Sequence, residues 1–132
     1  RRCLFVWIPY PSLQQEIEIL HARVPGLSER LAQQIARLMQ VLRGLPLQKA
    51  PGVAESLDWA LALMSMHREH LDAATLERTL GCVLKVHEDR GIMQAHHAAL
   101  DPILGDVPAK LESGGYSLDT DFGFGSVSAP RR

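Results

Sequence analysis

The chain's chemistry-bearing residues centre on one helix start, with a few scattered histidines and thiols. The helix start is Ala50-Pro51-Gly52-Val53-Ala54-Glu55-Ser56-Leu57-Asp58-Trp59. Pro51-Gly52 is a loop signal, and apolar residues then recur at 53, 57, 60, 61 and 64, which is helical spacing. Backbone N–H groups at a helix start lack partners and carry partial positive charge, so the turn at Gly52, Val53 and Glu55 can face a phosphate. His67 and His70 stand at i, i+3 with Glu69 between them, but no third metal ligand accompanies them. Near a helix end they read as cations facing the helix dipole. His96-His97 are adjacent and point apart on a helix. Cys82 with His87 lacks a third member for thiol catalysis. Asp121-Phe122-Gly123 spells a kinase triplet with no other kinase part around it. No metal site is expected. GxxxxGK[ST], GxGxxG and HExxH are all absent, so these residues alone hold no phosphate loop and no complete catalytic constellation.

The elements that must position the helix start follow from pattern. At 132 residues the chain is one domain, or a small domain plus a tail. Apolar residues at 46% and charged residues at 22% suit a globular fold. The net charge of −1 shows no basic excess, so nucleic acid is not an expected partner. Aromatics are few and Leu and Ala abundant, which points to helix packed on helix. Cys3 and Cys82 lie far apart in apolar settings and read as buried, reduced thiols of a cytoplasmic protein. No apolar run reaches the roughly 18 residues of a membrane span, and residues 3–8 are too short for a signal-peptide core.

In order, Cys3-Leu4-Phe5-Val6-Trp7-Ile8 is apolar, β-branched and aromatic until Pro9 stops it, and reads as a buried strand whose sheet would lie upstream. Pro9-Tyr10-Pro11 is a rigid extended connector. Ser12 with Gln15 forms a capping box for a first helix over 13–23. Ser28 caps a second, striped by Leu31, Ile35, Leu38 and Leu42, with Arg30, Gln34, Arg37 and Gln40 mostly on its surface and Gly44 just past its end. The third helix runs over about 53–67, with Trp59 packed beside its stripe. Asp72 caps a fourth, with Leu71 and Leu76 as a hydrophobic staple. Its stripe is Leu76, Leu80, Val83 and Leu84, and Gly81 within it marks a close contact. Residues 87–91 close that helix, and 92–100 form a short further one. From about Gly105 the frequent Gly, Ser and Pro indicate a poorly ordered, flexible C-terminal tail. The expected fold is all-α: one strand, a small four-helix bundle and the tail.

Three stretches in order carry a resemblance: Arg-Arg-Cys-Leu-Phe-Val-Trp-Ile-Pro-Tyr-Pro-Ser, Arg-Val-Pro-Gly-Leu-Ser-Glu-Arg-Leu-Ala and Pro-Gly-Val-Ala-Glu-Ser-Leu-Asp-Trp-Ala. Residues 1–89 resemble the C-terminal part of a MoxR-type AAA+ ATPase, in the branch linked to maturation of carbon monoxide dehydrogenase-like enzymes. The resemblance implies that residues 1–9 end an ATP-binding core, that 10–90 are its helical lid, and that 91–132 are a short helix and tail. It implies ATP and Mg²⁺ as cofactors, bound mainly by a core upstream. It also implies a homo-oligomeric ring, usually a hexamer, a von Willebrand factor A domain partner and a target metalloenzyme. Arg2, or its neighbour Arg1, falls where the family places an arginine finger, which offsets charge on a neighbouring subunit's γ-phosphate. Tyr10 and Pro11 fall at the hinge near the adenine, and Gly52, Val53 and Glu55 at the helix start facing the nucleotide. There the sequence departs from a common AAA+ pattern. No arginine stands between Arg43 and Arg68, and Glu55 lies at or next to the slot of the second sensor. A carboxylate does not stabilise phosphate, so this helix start is expected to position the lid rather than grip phosphate. The residues leave two further readings: a stand-alone helical interaction module with no nucleotide chemistry, and, disfavoured by charge, a helix-turn-helix DNA reader.

Overall fold

A computed structural model describes residues 3–104. The chain there is all-α, with six helical segments: α1 (Leu13–Arg23), α2 (Glu29–Gly44), α3 (Val53–Ser65), α4 (Ala73–Thr79), α5 (His87–Ala95) and α6 (Asp101–Leu104). Single 3-10 turns at Leu80–Cys82 and His97–Ala99 join the later ones. Arg1, Arg2 and the expected tail from Gly105 onward lie outside the described residues. Among the described residues no helix is long and apolar enough to cross a membrane.

α2 is the central element. Nine of its residues are buried, covering far more than one stripe of its surface, and such a helix must be enclosed on several sides. α1 and α3 pack against it and against each other, and α6 closes part of the remaining surface. The core joins Leu20 of α1, Ile35, Leu38, Met39 and Leu42 of α2, Trp59 and Leu63 of α3, Leu76 of α4, Met93 of α5 and Leu100 before α6.

The starts of the helices follow the sequence. Ser12 Oγ accepts from the Gln15 N–H at 3.2 Å and Gln15 Oε1 accepts from the Ser12 N–H at 3.0 Å, completing the capping box. Ser28 Oγ accepts from the Leu31 N–H at 3.2 Å, and an Asp72 carboxylate oxygen from the Thr75 N–H at 2.7 Å. Leu71 and Leu76 are both buried, as a staple requires.

Five expectations are corrected. Residues 3–8 form no strand, and no strand exists among the described residues. A strand is held by ladder bonds to a neighbour, and none is there to pair with. Leu4, Phe5, Val6, Trp7 and Ile8 are therefore exposed, and so is Cys3, while Cys82 is only half-buried. The fourth helix stops at Thr79, tightens into the 3-10 turn, and α5 begins at His87. The Thr79 hydroxyl donates back to the Thr75 carbonyl at 2.7 Å, a bond that disfavours helix continuation, and Gly81 adds a poor helix former. The close contact at Gly81 is with Arg90 of α5: a Cβ there would stand 3.1 Å from a guanidinium nitrogen. Gln34 is buried, not on the surface. Gly44 is the last helical residue and Leu45 the cap, so the second helix has no left-handed glycine at its end.

The third helix ends differently from a glycine stop. The His67 N–H donates to the Met64 carbonyl at 2.9 Å and the Arg68 N–H to the Leu63 carbonyl at 3.0 Å, the bond pair of a Schellman motif. His67 takes the left-handed position, with φ 54°. The chain reverses there, so His67 and His70 do not share a helical face.

Candidate functional site

Two of the sequence-selected stretches meet. The connector at Pro9, Tyr10 and Pro11 lies along α1 and reaches Val53 at the start of α3. With Gln15, Glu18, Ile19 and Ala22 of α1 and with Ile8, these residues line an open groove of about 670 Å³. The walls are mainly apolar; Gln15 and Glu18 supply polar side chains, and among the described residues no lysine or arginine lines it. Gly52 and Glu55 adjoin Val53 in sequence but are not part of the lining.

The α3 start is closed locally. Glu55 Oε2 accepts from the Gly52 N–H at 2.9 Å, so the carboxylate turns back onto its own helix terminus. An acid in the first turn also complements the helix dipole. Ser56 Oγ donates to the Val53 carbonyl at 2.8 Å. Glu55 is thus a helix-capping residue here.

The loop before α3 is held from two sides. Asp89 of α5 is fully buried, and its carboxylate accepts from the Gln48 N–H at 2.7 Å and the Lys49 N–H at 3.1 Å. Arg43 of α2 holds the other end, with Nε donating to the Pro51 carbonyl at 2.8 Å. The same guanidinium makes two bonds to Glu16 of α1, at 2.6 and 2.8 Å, and lies 4.6 Å from the centre of the Tyr10 ring. Three turns of fold therefore converge on one side chain. No motif in the sequence singles out Arg43, Glu16 or Asp89. The signal available is periodic: Glu16 falls three residues after Leu13 and four before Leu20, on the stripe the helix buries.

The remaining candidates stay apart. Among the described residues no three His, Cys, Asp or Glu side chains gather closely enough to hold a metal ion. His96 Nδ1 bonds to the Ile92 carbonyl at 2.8 Å within its own helix, and His97 pairs with Asp101 at 3.0 Å. Asp121, Phe122 and Gly123 lie outside the described residues, as do Arg1 and Arg2. A second, smaller pocket of about 210 Å³ borders the α2 start, lined by Ser28, His67, Arg68 and Glu69 among others. There the Ser28 hydroxyl donates to the Glu69 carbonyl at 3.0 Å, which ties the turn after α3 to α2. Compared with known proteins, the chain matches no family model, no curated protein and no solved structure.

Proposed function

We propose that residues 10–90 are the helical lid of an ATP-dependent AAA+ remodelling ATPase of MoxR type, acting in the maturation of a metalloenzyme. The observation that supports it is the groove. The resemblance puts the Tyr10-Pro11 connector and the α3 start beside a nucleotide, and Tyr10, Pro11 and Val53 line one apolar cleft. Its chemistry fits the base of ATP, which Tyr10, Pro11, Ile19 and Val53 would border. It does not fit the triphosphate or Mg²⁺: among the described residues no cation lines the cleft and Glu18 is its one carboxylate. Those groups belong, on this proposal, to a core preceding the lid. The apolar residues 3–8, unpaired in this chain by itself, would pair with the sheet of that core as its last strand. That strand carries Arg2 at its head as the finger, with Arg1 as the alternative. A hexameric ring, a von Willebrand factor A domain partner, a target metalloenzyme and a cytoplasmic setting come with the proposal and rest on the resemblance.

The test compares two proteins. The 132-residue chain alone is expected to show no ATP turnover, and turnover from it would refute the proposal. In a protein that joins it to a phosphate-loop core, Arg2→Ala is expected to abolish ring-dependent hydrolysis and to leave nucleotide binding largely intact. Normal turnover there would remove the finger assignment. The second reading, an interaction module, draws on the exposure of residues 4–8 and predicts partner capture that is indifferent to ATP. Apolar segments and grooves of this kind accept a partner's helix or strand.

A further inference from the structure

We infer that Arg43 is a positioning residue that clamps the two walls of the groove together, so that the connector and the α3 start move as one body with the bundle. All three of its guanidinium nitrogens are engaged. Nη1 and Nη2 bind the two Glu16 oxygens, Nε binds the Pro51 carbonyl, and the Tyr10 ring lies against the cation. The Arg43 side chain is 6% exposed and that of Glu16 0%, so water does not compete for these bonds. An arginine's planar fork fixes all these directions at once, which a lysine cannot do. One turn earlier on α2, Gln40 Nε2 donates to the Pro11 carbonyl at 3.2 Å. The last two turns of α2 thus hold Tyr10, Pro11 and Pro51.

Two consequences follow. Arg43 lies against the groove's wall at Tyr10, yet its charge is paired with Glu16, so it shapes the cleft and does not bind an anion in it. The flexible joint between the bundle and anything preceding it also moves. The family pattern puts a hinge at Tyr10 and Pro11, but those residues are bonded to α2. Residues 3–8 are exposed and make no hydrogen bond among the described residues. The joint therefore lies before Tyr10, and a lid motion would carry the assembled groove with it. Only this last, functional part rests on the nucleotide reading.

The test is hydrogen–deuterium exchange on the 132-residue chain without nucleotide. Glu16→Met/Arg43→Met removes the ion pair as a pair, a change that proteins tolerate because no charge is left orphaned. Exchange should rise by roughly tenfold or more in residues 8–16 and 50–56 together, the opening released by losing a charge-assisted hydrogen bond. Residues of α4 and α5 should exchange as before. A rise across the whole chain, in one wall only, or in neither would overturn the inference. Should the double variant fail to fold, Arg43→Lys decides. It keeps a charge beside Glu16 but cannot also reach Pro51, and unchanged protection of both walls would overturn the clamp. In a protein carrying the upstream core, Arg43→Lys should raise KM for ATP by a larger factor than it lowers kcat. Loosened walls with an unchanged KM would refute the nucleotide reading of the groove and leave the clamp standing.

Discussion

Replacing Gln34 with methionine should remove a large share of the chain's stability while leaving its core volume almost unchanged. The Gln34 amide ties three segments. Nε2 donates to the carbonyls of Leu71 at 3.1 Å and Ile103 at 2.9 Å, and Oε1 accepts from the Leu71 N–H at 2.8 Å. Gln34 is 3% exposed, Leu71 0% and Ile103 1%, so no solvent takes over these bonds. Methionine is similar in length and apolar, and keeps the packing while orphaning one N–H and two carbonyls. A buried polar group left unsatisfied costs about 1–3 kcal/mol. The Ile103 carbonyl can recover water if α6 lifts away, at the expense of Ile103 burial, so the total expected is roughly 3–5 kcal/mol. That compares with about 5–15 kcal/mol for a whole domain. Urea unfolding followed by Trp59 fluorescence and far-UV circular dichroism measures it, and Tm should fall by about 12 °C or more. Gln34→Glu separates hydrogen bonding from shape. Its carboxylate accepts from Leu71 but faces two carbonyls, and acidification, which makes it a donor, should recover part of the loss. A Gln34→Met loss below about 1 kcal/mol would show that the three backbone groups find other partners and would refute the reasoning.

His67→Gly should stabilise the chain by about 0.5–1 kcal/mol, seen as a raised urea midpoint, because His67 holds a left-handed φ of 54° that glycine adopts freely. Asp89→Ala should cost about 2–4 kcal/mol and expose the Gln48 and Lys49 amides to fast exchange, since both lose their acceptor. The Asp72 carboxyl is held below its ordinary value, first by the Thr75 backbone N–H, then by the Thr75 side chain. The folded state therefore binds this proton less readily than the unfolded chain. Its stabilisation is present above the unfolded value and is lost as pH falls through the folded one. Asp72→Asn keeps a good cap without the titration, so its stability, measured by urea unfolding across pH, should fall less on acidification.

What could be read from the sequence was whatever depends on near neighbours. Ser12, Ser28 and Asp72 are caps because a short side chain meets an N–H two or three residues on, and spacing alone shows that. The stripe of α2 was legible for the same reason, since a period needs no knowledge of the partner helix. The failures are long-range. Gln34 looked like a surface residue because its partners, Leu71 and Ile103, are far along the chain. Nothing in the sequence marks Glu16 and Arg43 as a pair, because neither reveals that the other is near. The fourth helix was overdrawn because Leu76, Leu80, Val83 and Leu84 suit either a helix or a helix followed by a 3-10 turn. Of the site, the connector and the α3 start were both picked out by residue type, but the resemblance had to bring them together. What their meeting makes, an apolar cleft braced from α2, needed the fold.

The exposed run at Leu4, Phe5, Val6, Trp7 and Ile8 makes this chain's stability a property of its company. Each side chain is between 70% and 94% exposed, and burying one large apolar side chain contributes about 1.5–3 kcal/mol. All five together represent roughly 7–15 kcal/mol for any surface that covers them, the same size as the folding free energy of a whole domain. By mass action, such a surface raises the unfolding midpoint only as far as it binds the run better in the folded chain than in the unfolded one. A second copy of the chain at millimolar strength, a detergent micelle or a core domain joined in sequence would each shift it differently. A melting temperature for these residues is therefore a titration point, and it acquires meaning only beside the concentration at which it was taken.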